Sequence, residues 1–216
     1  MKLVDLLRSR DFNQREAARK ALLGALDKLG SGWFHLFLDE LKSGLQRGYQ
    51  RHVLMATISN LLNNHKFKTG SIDGSVESLS IILNNDLIGD LGRERKVAKL
   101  IEKTPEARAR NHVIGCYKRL GELIGPGVLN LLLDPLKNAL IESVDKNLHE
   151  HVYKALTAMA EGIIANGAIT GQMTLVLVAK IFAESLKVAK EREAEQKKET
   201  YQDKPGAKPQ SCLLLR

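Results

Sequence analysis

Three kinds of residue in this 216-residue chain have types and spacings that could do chemistry: clustered Lys and Arg, six histidines and two cysteines. The densest cluster spans residues 93–119, with nine basic and three acidic side chains. Its aromatic-free core holds Arg93, Arg95, Lys96, Lys99, Lys103, Arg108 and Arg110. Clustered cations attract phosphates, whereas reading bases needs interleaved stacking aromatics or a recognition fold. These seven residues are therefore candidate RNA-phosphate contacts, gripping a backbone rather than reading a sequence. The competing reading is a solvated helix face.

Catalytic and metal chemistry find no comparable pattern. His149 and His151 stand two apart, on different faces of a helix, where a shared metal needs a spacing of four. His52 follows Arg51 inside a helical stretch and reads as a packed or hydrogen-bonded residue rather than a base. Cys116 falls on an apolar stripe and reads as buried and inert, and Cys212, fifth from the end, misses the prenylation position. No Gly-x-x-x-x-Gly-Lys-Ser/Thr loop is present to cradle a nucleotide, and Gly30-Ser31-Gly32 and Gly125-Pro126-Gly127 read as turns between helices. The residues imply no enzyme, no cofactor, no metal and no small-molecule substrate.

The elements that must carry these side chains are helical. Ala18, Leu22, Ala25, Leu26 and Leu29 follow helical spacing behind the possible caps Asp11 and Asn13. Further stripes run through Phe34–Leu45, Leu54–Leu62, Val76–Leu87, Val113–Ile124, Leu129–Leu140 and Leu148–Ile163. Thr170 then opens a broadly apolar helix to about Ala189. Period-two alternation is absent. Trp33, beside Phe34 and Phe37, reads as core or as a contact between repeats. No apolar run approaches the ~20 residues of a membrane span, and the opening Met1-Lys2-Leu3-Val4-Asp5 lacks a signal-peptide core.

The formal charge of +8 is uneven. Residues 1–70 carry +6, 71–92 carry −4 and 93–119 carry +6, so an acidic stretch runs straight into a basic one. After about Lys187 the composition turns Lys- and Glu-rich, then passes through Asp203-Lys204-Pro205-Gly206. That reads as a charged helical extension fading into a disordered tail over 188–216.

An internal repeat organises the rest. LGSGWFHLFLDELKSGL at Leu29–Leu45 lies over IGPGVLNLLLDPLKNAL at Ile124–Leu140, with eight of seventeen positions identical. Half of that 95-residue offset is about 47, close to the period of HEAT and armadillo helix pairs. The expectation is an all-α chain: an α-solenoid of antiparallel helix pairs over 1–187, with an irregular α-bundle as the weaker alternative.

Within this pattern, Leu38-Asp39-Glu40-Leu41-Lys42 and Leu45-Gln46-Arg47-Gly48-Tyr49-Gln50-Arg51-His52-Val53-Leu54 are more specific. They resemble the small-subunit processome component 20 family, also called DRIM (down-regulated in metastasis), whose members are very large HEAT-repeat proteins. The likeness continues through Asp86-Leu87-Ile88-Gly89, the Lys-rich stretch after it, Glu106-Ala107-Arg108 and Pro209-Gln210-Ser211-Cys212-Leu213-Leu214-Leu215. One departure is Gly70-Ser71-Ile72-Asp73, where the family has Gly-Asp-Leu-Asp. Beside members of thousands of residues, this chain reads as a fragment of a longer protein. The resemblance implies a nucleolar, non-enzymatic scaffold of small-ribosomal-subunit assembly and pre-rRNA processing. Its implied partners are preribosomal proteins and pre-rRNA or a small nucleolar ribonucleoprotein (snoRNP), with no membrane. The alternative is a karyopherin-like adaptor solenoid that binds an acidic protein or peptide.

Overall fold

The computed structural model describes residues 2–89, 104–108, 111–142 and 145–202. Among the described residues every regular element is helical. The chain divides into two compact units, 1–169 and 170–216. The first unit holds α1 (Lys2–Leu7), α2 (Phe12–Leu29), α3 (Phe34–Gly44), α4 (Gln50–Asn64), α5 (Val76–Leu87), α6 (Asn111–Leu123), α7 (Leu129–Glu142) and α8 (Lys146–Ala165). The second holds α9 (Gly171–Gln202). The architecture is the all-α solenoid expected from the periodicity.

Local signals start and stop these helices where the sequence places them. Asp11 caps α2 by accepting from the Asn13 amide at 2.9 Å. Gly30 ends α2 with φ of 90°, a conformation that costs a Cβ-bearing residue strain. Two matching 3-10 turns, Ser31–Trp33 and Pro126–Val128, then feed α3 and α7. The internal repeat is therefore structural, and it extends beyond the matching letters. The order α2, α3, α4, α5 recurs as α6, α7, α8, α9, and the first residues of α5 and α9, Val76 and Gly171, keep the 95-residue offset.

The apolar stripes form the core as expected. Leu22, Leu26, Phe34, Leu38, Leu61, Leu83, Tyr117, Leu120, Leu132 and Leu136 are all at or near complete burial. Burying each such side chain contributes about 1.5–3 kcal/mol. Trp33 is not core. It stays 50% exposed, because the 3-10 turn presents Phe34 inward and leaves the indole at the rim.

Two devices join the repeats within the first unit. The first concerns Pro135, inside α7, which has no amide proton and so leaves the Leu131 carbonyl without its helical donor. Ser80 of α5 supplies the missing bond, its hydroxyl donating to Leu131 O at 2.8 Å. The second is the end of α6, where three carbonyls find tertiary donors. Asn166 Nδ2 donates to both Gly121 O and Ile124 O at 2.8 Å, and the Gly70 amide donates to Leu123 O at 2.7 Å. Asp73 then accepts from the Gly125 amide at 2.9 Å. Helix ends need such partners when they are buried.

α6 and α8 form the most extensive helix pair, because Gly121 and Gly162 face each other across it. A Cβ on Gly121 would stand 2.6 Å from Met159 O, and one on Gly162 would drive into the carbonyl of Lys118. Both obstacles are backbone, which cannot swing aside. By contrast, Gly24 in α2 faces open space. Exchanging Gly for Ala in a helix ordinarily stabilises by about 0.5–1 kcal/mol. Gly24→Ala should follow that rule, raising the urea midpoint. Gly162→Ala should reverse the sign and destabilise by about 1–3 kcal/mol or more. Equal and positive shifts for both substitutions would contradict the close α6–α8 packing.

Candidate functional site

The chemistry-bearing residues that the fold gathers lie mainly between α2, α4 and the 3-10 turn Pro105–Arg108. Arg15 is fully buried on α2, and one turn later Arg19 is 3% exposed. Between them sits Glu106, 7% exposed, brought from 91 residues away. Arg15 meets it with two parallel bonds, Nε to Oε1 and Nη2 to Oε2, each 2.7 Å. Its Nη1 donates to Ser9 O at 3.0 Å and Arg10 O at 3.1 Å, and its guanidinium lies 5.7 Å from the centre of the Phe12 ring. Arg19 donates to Glu106 and to Glu16, and through Nε to Thr57 Oγ1 at 3.3 Å.

Burial pushes the Glu106 carboxyl up, but hydrogen bonds from Arg15 and Arg19 outweigh it and hold the group below the usual carboxylate range. The cluster is two cations and two carboxylates, neutral in sum. It is a structural lock with no unspent charge for an anion.

Beside the lock opens a cleft of about 470 Å³, lined in part by Phe12, Glu16, Ser59, Asn60, Asn63 and His112. Asn63 Nδ2 donates to Ser59 O at 2.8 Å, and Asn64 Nδ2 donates to Asn60 O at 2.8 Å. Both side chains therefore turn an N–H donor onto their own helix, and their oxygens remain acceptors. Asn60 Oδ1 is buried without a hydrogen-bond partner. Walls of this kind suit N–H donors, and they do not suit phosphate.

Another group has the form of a hydrolytic relay. Ser31 Oγ lies 3.1 Å from His65 Nε2, and Asp27 Oδ1 lies 2.6 Å from His65 Nδ1. The His65 ring packs edge-on to Phe67 at 4.5 Å, and Phe67 packs on Phe34 at 5.0 Å. None of the three relay residues lines the acceptor cleft or the smaller apolar groove of about 220 Å³ near Leu45 and Ile82. The trio forms a clasp that fastens the end of α4 to the end of α2 and the turn after it. His52 is buried on α4, its Nδ1 3.9 Å from Asp86 Oδ1. Burial pushes the Cys116 thiol up to about 12, so the thiolate needed for reactivity does not form near neutrality. Among the described residues, no group of three or more His, Cys, Asp or Glu could hold a metal ion, and no helix is long and apolar enough to cross a membrane.

Of the seven sequence-derived phosphate candidates, Arg93, Arg95, Lys96, Lys99, Lys103 and Arg110 lie outside the described residues. Arg108 closes the 3-10 turn that carries Glu106. Sequence reasoning missed the lock, although one signal was there: Arg15 and Arg19 share the α2 stripe with Leu22 and Leu26. Nothing in the spacing of Asp27, Ser31 and His65 announces the clasp.

Comparison with known proteins adds a likeness. Residues 1–182 match the family described as "U3 small nucleolar RNA-associated protein 20 domain". A Schizosaccharomyces pombe protein named U3 small nucleolar RNA-associated protein 20 is 31% identical over 180 residues, covering 82% of this chain and 7% of its own length. The Saccharomyces cerevisiae protein of the same name is 24% identical over 185 residues, covering 85% of this chain and 7% of its own. The chain spans about 7% of the length of these curated relatives.

Removing the Glu106 charge strands two buried guanidinium groups, and breaking a buried pair costs about 3–5 kcal/mol. Because the folded carboxyl sits low, its contribution is complete above the ordinary glutamate range and disappears as pH falls through the depressed value. Glu106→Gln should therefore lower the urea midpoint strongly at pH 7, and the gap to wild type should narrow towards pH 3. A gap constant across that range would show that the charge has no structural role.

Proposed function

The chain belongs to the U3 small nucleolar RNA-associated protein 20 family, and on that premise we propose that it works as a non-enzymatic helical scaffold in small-ribosomal-subunit assembly. It acts in the nucleolus, among preribosomal proteins and pre-rRNA. The observation that carries this reading is the family match over residues 1–182, which covers α1–α8 and reaches into α9. The fold is consistent with it: stacked helix pairs offer long surfaces, and the charged groups they bury are spent on holding the pairs together.

RNA contact is assigned to the basic block, through Arg93, Arg95, Lys96, Lys99, Lys103, Arg108 and Arg110. The cleft beside Glu106 is unsuited to the task because its lining presents acceptors. Each phosphate neutralised on a single strand contributes about −0.7 to the slope of log affinity against log salt. Filter binding of a single-stranded RNA over a salt series should give a steep negative slope. Reversing Arg95, Lys96, Lys99 and Lys103 to Glu should flatten it by up to about 3 and weaken binding at every salt concentration. An unchanged slope would remove RNA contact from this block. Partners that survive nuclease treatment in a pull-down, together with a flat salt series, would favour the adaptor reading.

A further inference from the structure

The lining that makes the cleft beside Glu106 unfit for phosphate fits a different part of an RNA strand, the edge of a base. Asn60, Asn63 and Asn64 stand at i, i+3 and i+4 of α4, so all three line the cleft from one helix face. Two of these amides are already oriented, Asn63 Nδ2 by Ser59 O and Asn64 Nδ2 by Asn60 O, each at 2.8 Å. Asn60 Oδ1 is buried with no hydrogen-bond partner among the described residues. A buried acceptor in that state costs free energy that an N–H donor would recover.

Other parts of the lining are apolar. Phe12, the first residue of α2, is 41% exposed, and Pro105 opens the 3-10 turn that carries Glu106. Arg108 stands on that same turn, so the cleft lies at the edge of the basic block. Residues 93–110 contain no aromatic side chain. The fold supplies one, bringing Phe12 to the block from a distant segment. A volume of about 470 Å³ falls within the range of about 300–1,000 Å³ usual for small-ligand sites. An aromatic face beside a polar wall is what recognition of an unpaired base requires, the ring to stack on it and the wall to meet its edge.

We propose that this cleft receives one unpaired guanine base of an RNA strand whose backbone the basic block holds. The proposal rests on the reading that this block meets RNA phosphates. Guanine is selected by its pairing edge, where an imino N–H and an amino group stand side by side. In adenine, cytosine and uracil the donor is followed by an acceptor, which would turn a lone pair towards the asparagine oxygens. A basic protein side chain would also bring N–H donors. The chain's charge of +8 works against a cationic partner and favours a polyanion that carries a neutral base.

The test uses the full 216-residue chain and fluorescein-labelled uridine-rich RNA oligomers that differ at one central position: guanosine, inosine or adenosine. Inosine keeps the imino N–H and lacks the amino group. Anisotropy should show the guanosine oligomer binding at least about fivefold tighter than the other two. The slope of log affinity against log salt should be the same for all three, because a base contact releases no counterions. Asn63→Ala combined with Asn64→Ala should abolish the guanosine preference and leave the slope unchanged. Both positions are exposed, so the melting curve of the double variant should match that of wild type. Asn63→Asp retains an acceptor and should keep the preference. Equal binding of the three oligomers on a steep salt slope overturns the base site and leaves the phosphate reading standing. No salt-dependent binding of any oligomer overturns both. A hexa-arginine peptide that binds wild type and fails to bind the double variant also overturns the base site, since the cleft then belongs to a basic protein segment.

Discussion

Glu106 is a carboxylate almost without access to water, and it is tolerable there only because two guanidinium groups meet it. Removing such a group from water costs several kcal/mol, which geometry and additional hydrogen bonds must offset. Here the offset comes from a bidentate pair to Arg15, a shared bond to Arg19, and the carbonyls of Ser9 and Arg10 that absorb Arg15's remaining donors. The lock therefore fixes three things together: the entry of the chain into α2, the distance between α2 and α4, and the turn that leads to α6. A neutral pair of residues at these positions would bury easily but would leave that spacing unspecified.

The two repeats solve the same packing problem by opposite means. Between α2 and α4 the lock occupies the space, and a cleft lined by asparagine oxygens opens beside it. Between α6 and α8 glycines let the two backbones approach directly. The junction between repeats depends on single polar bonds placed where a helix would otherwise have an unpaired group: Ser80 for the carbonyl stranded by Pro135, the Gly70 amide for Leu123 O, and Asp73 for the Gly125 amide. A helical array built this way spends these polar side chains on its own joints.

The helices were legible because apolar side chains recur at helical spacing, and burying each stripe requires a neighbour. The repeat was legible because identical glycines and an Asp-x-Leu-Lys register recur in the same order. The lock was half legible. Arg15 and Arg19 interrupt an apolar stripe, which signals buried cations, but no spacing rule points from them to a glutamate 91 residues later. The clasp of Asp27, Ser31 and His65 was not legible, because each residue is ordinary in its own segment. Of the two readings of Trp33, its half-exposed indole excludes only core; the residue stands on the 3-10 turn ahead of α3.

The sequence by itself determined the helical class, the places where helices begin and end, and the 95-residue recurrence, since all three depend on local preferences and short-range periodicity. It also carried the family likeness, which rests on the order of residues. Only the tertiary structure decided which polar side chains meet and which glycines bear a backbone crossing. Those outcomes depend on distances between residues far apart in the chain, and only packing in three dimensions sets such distances.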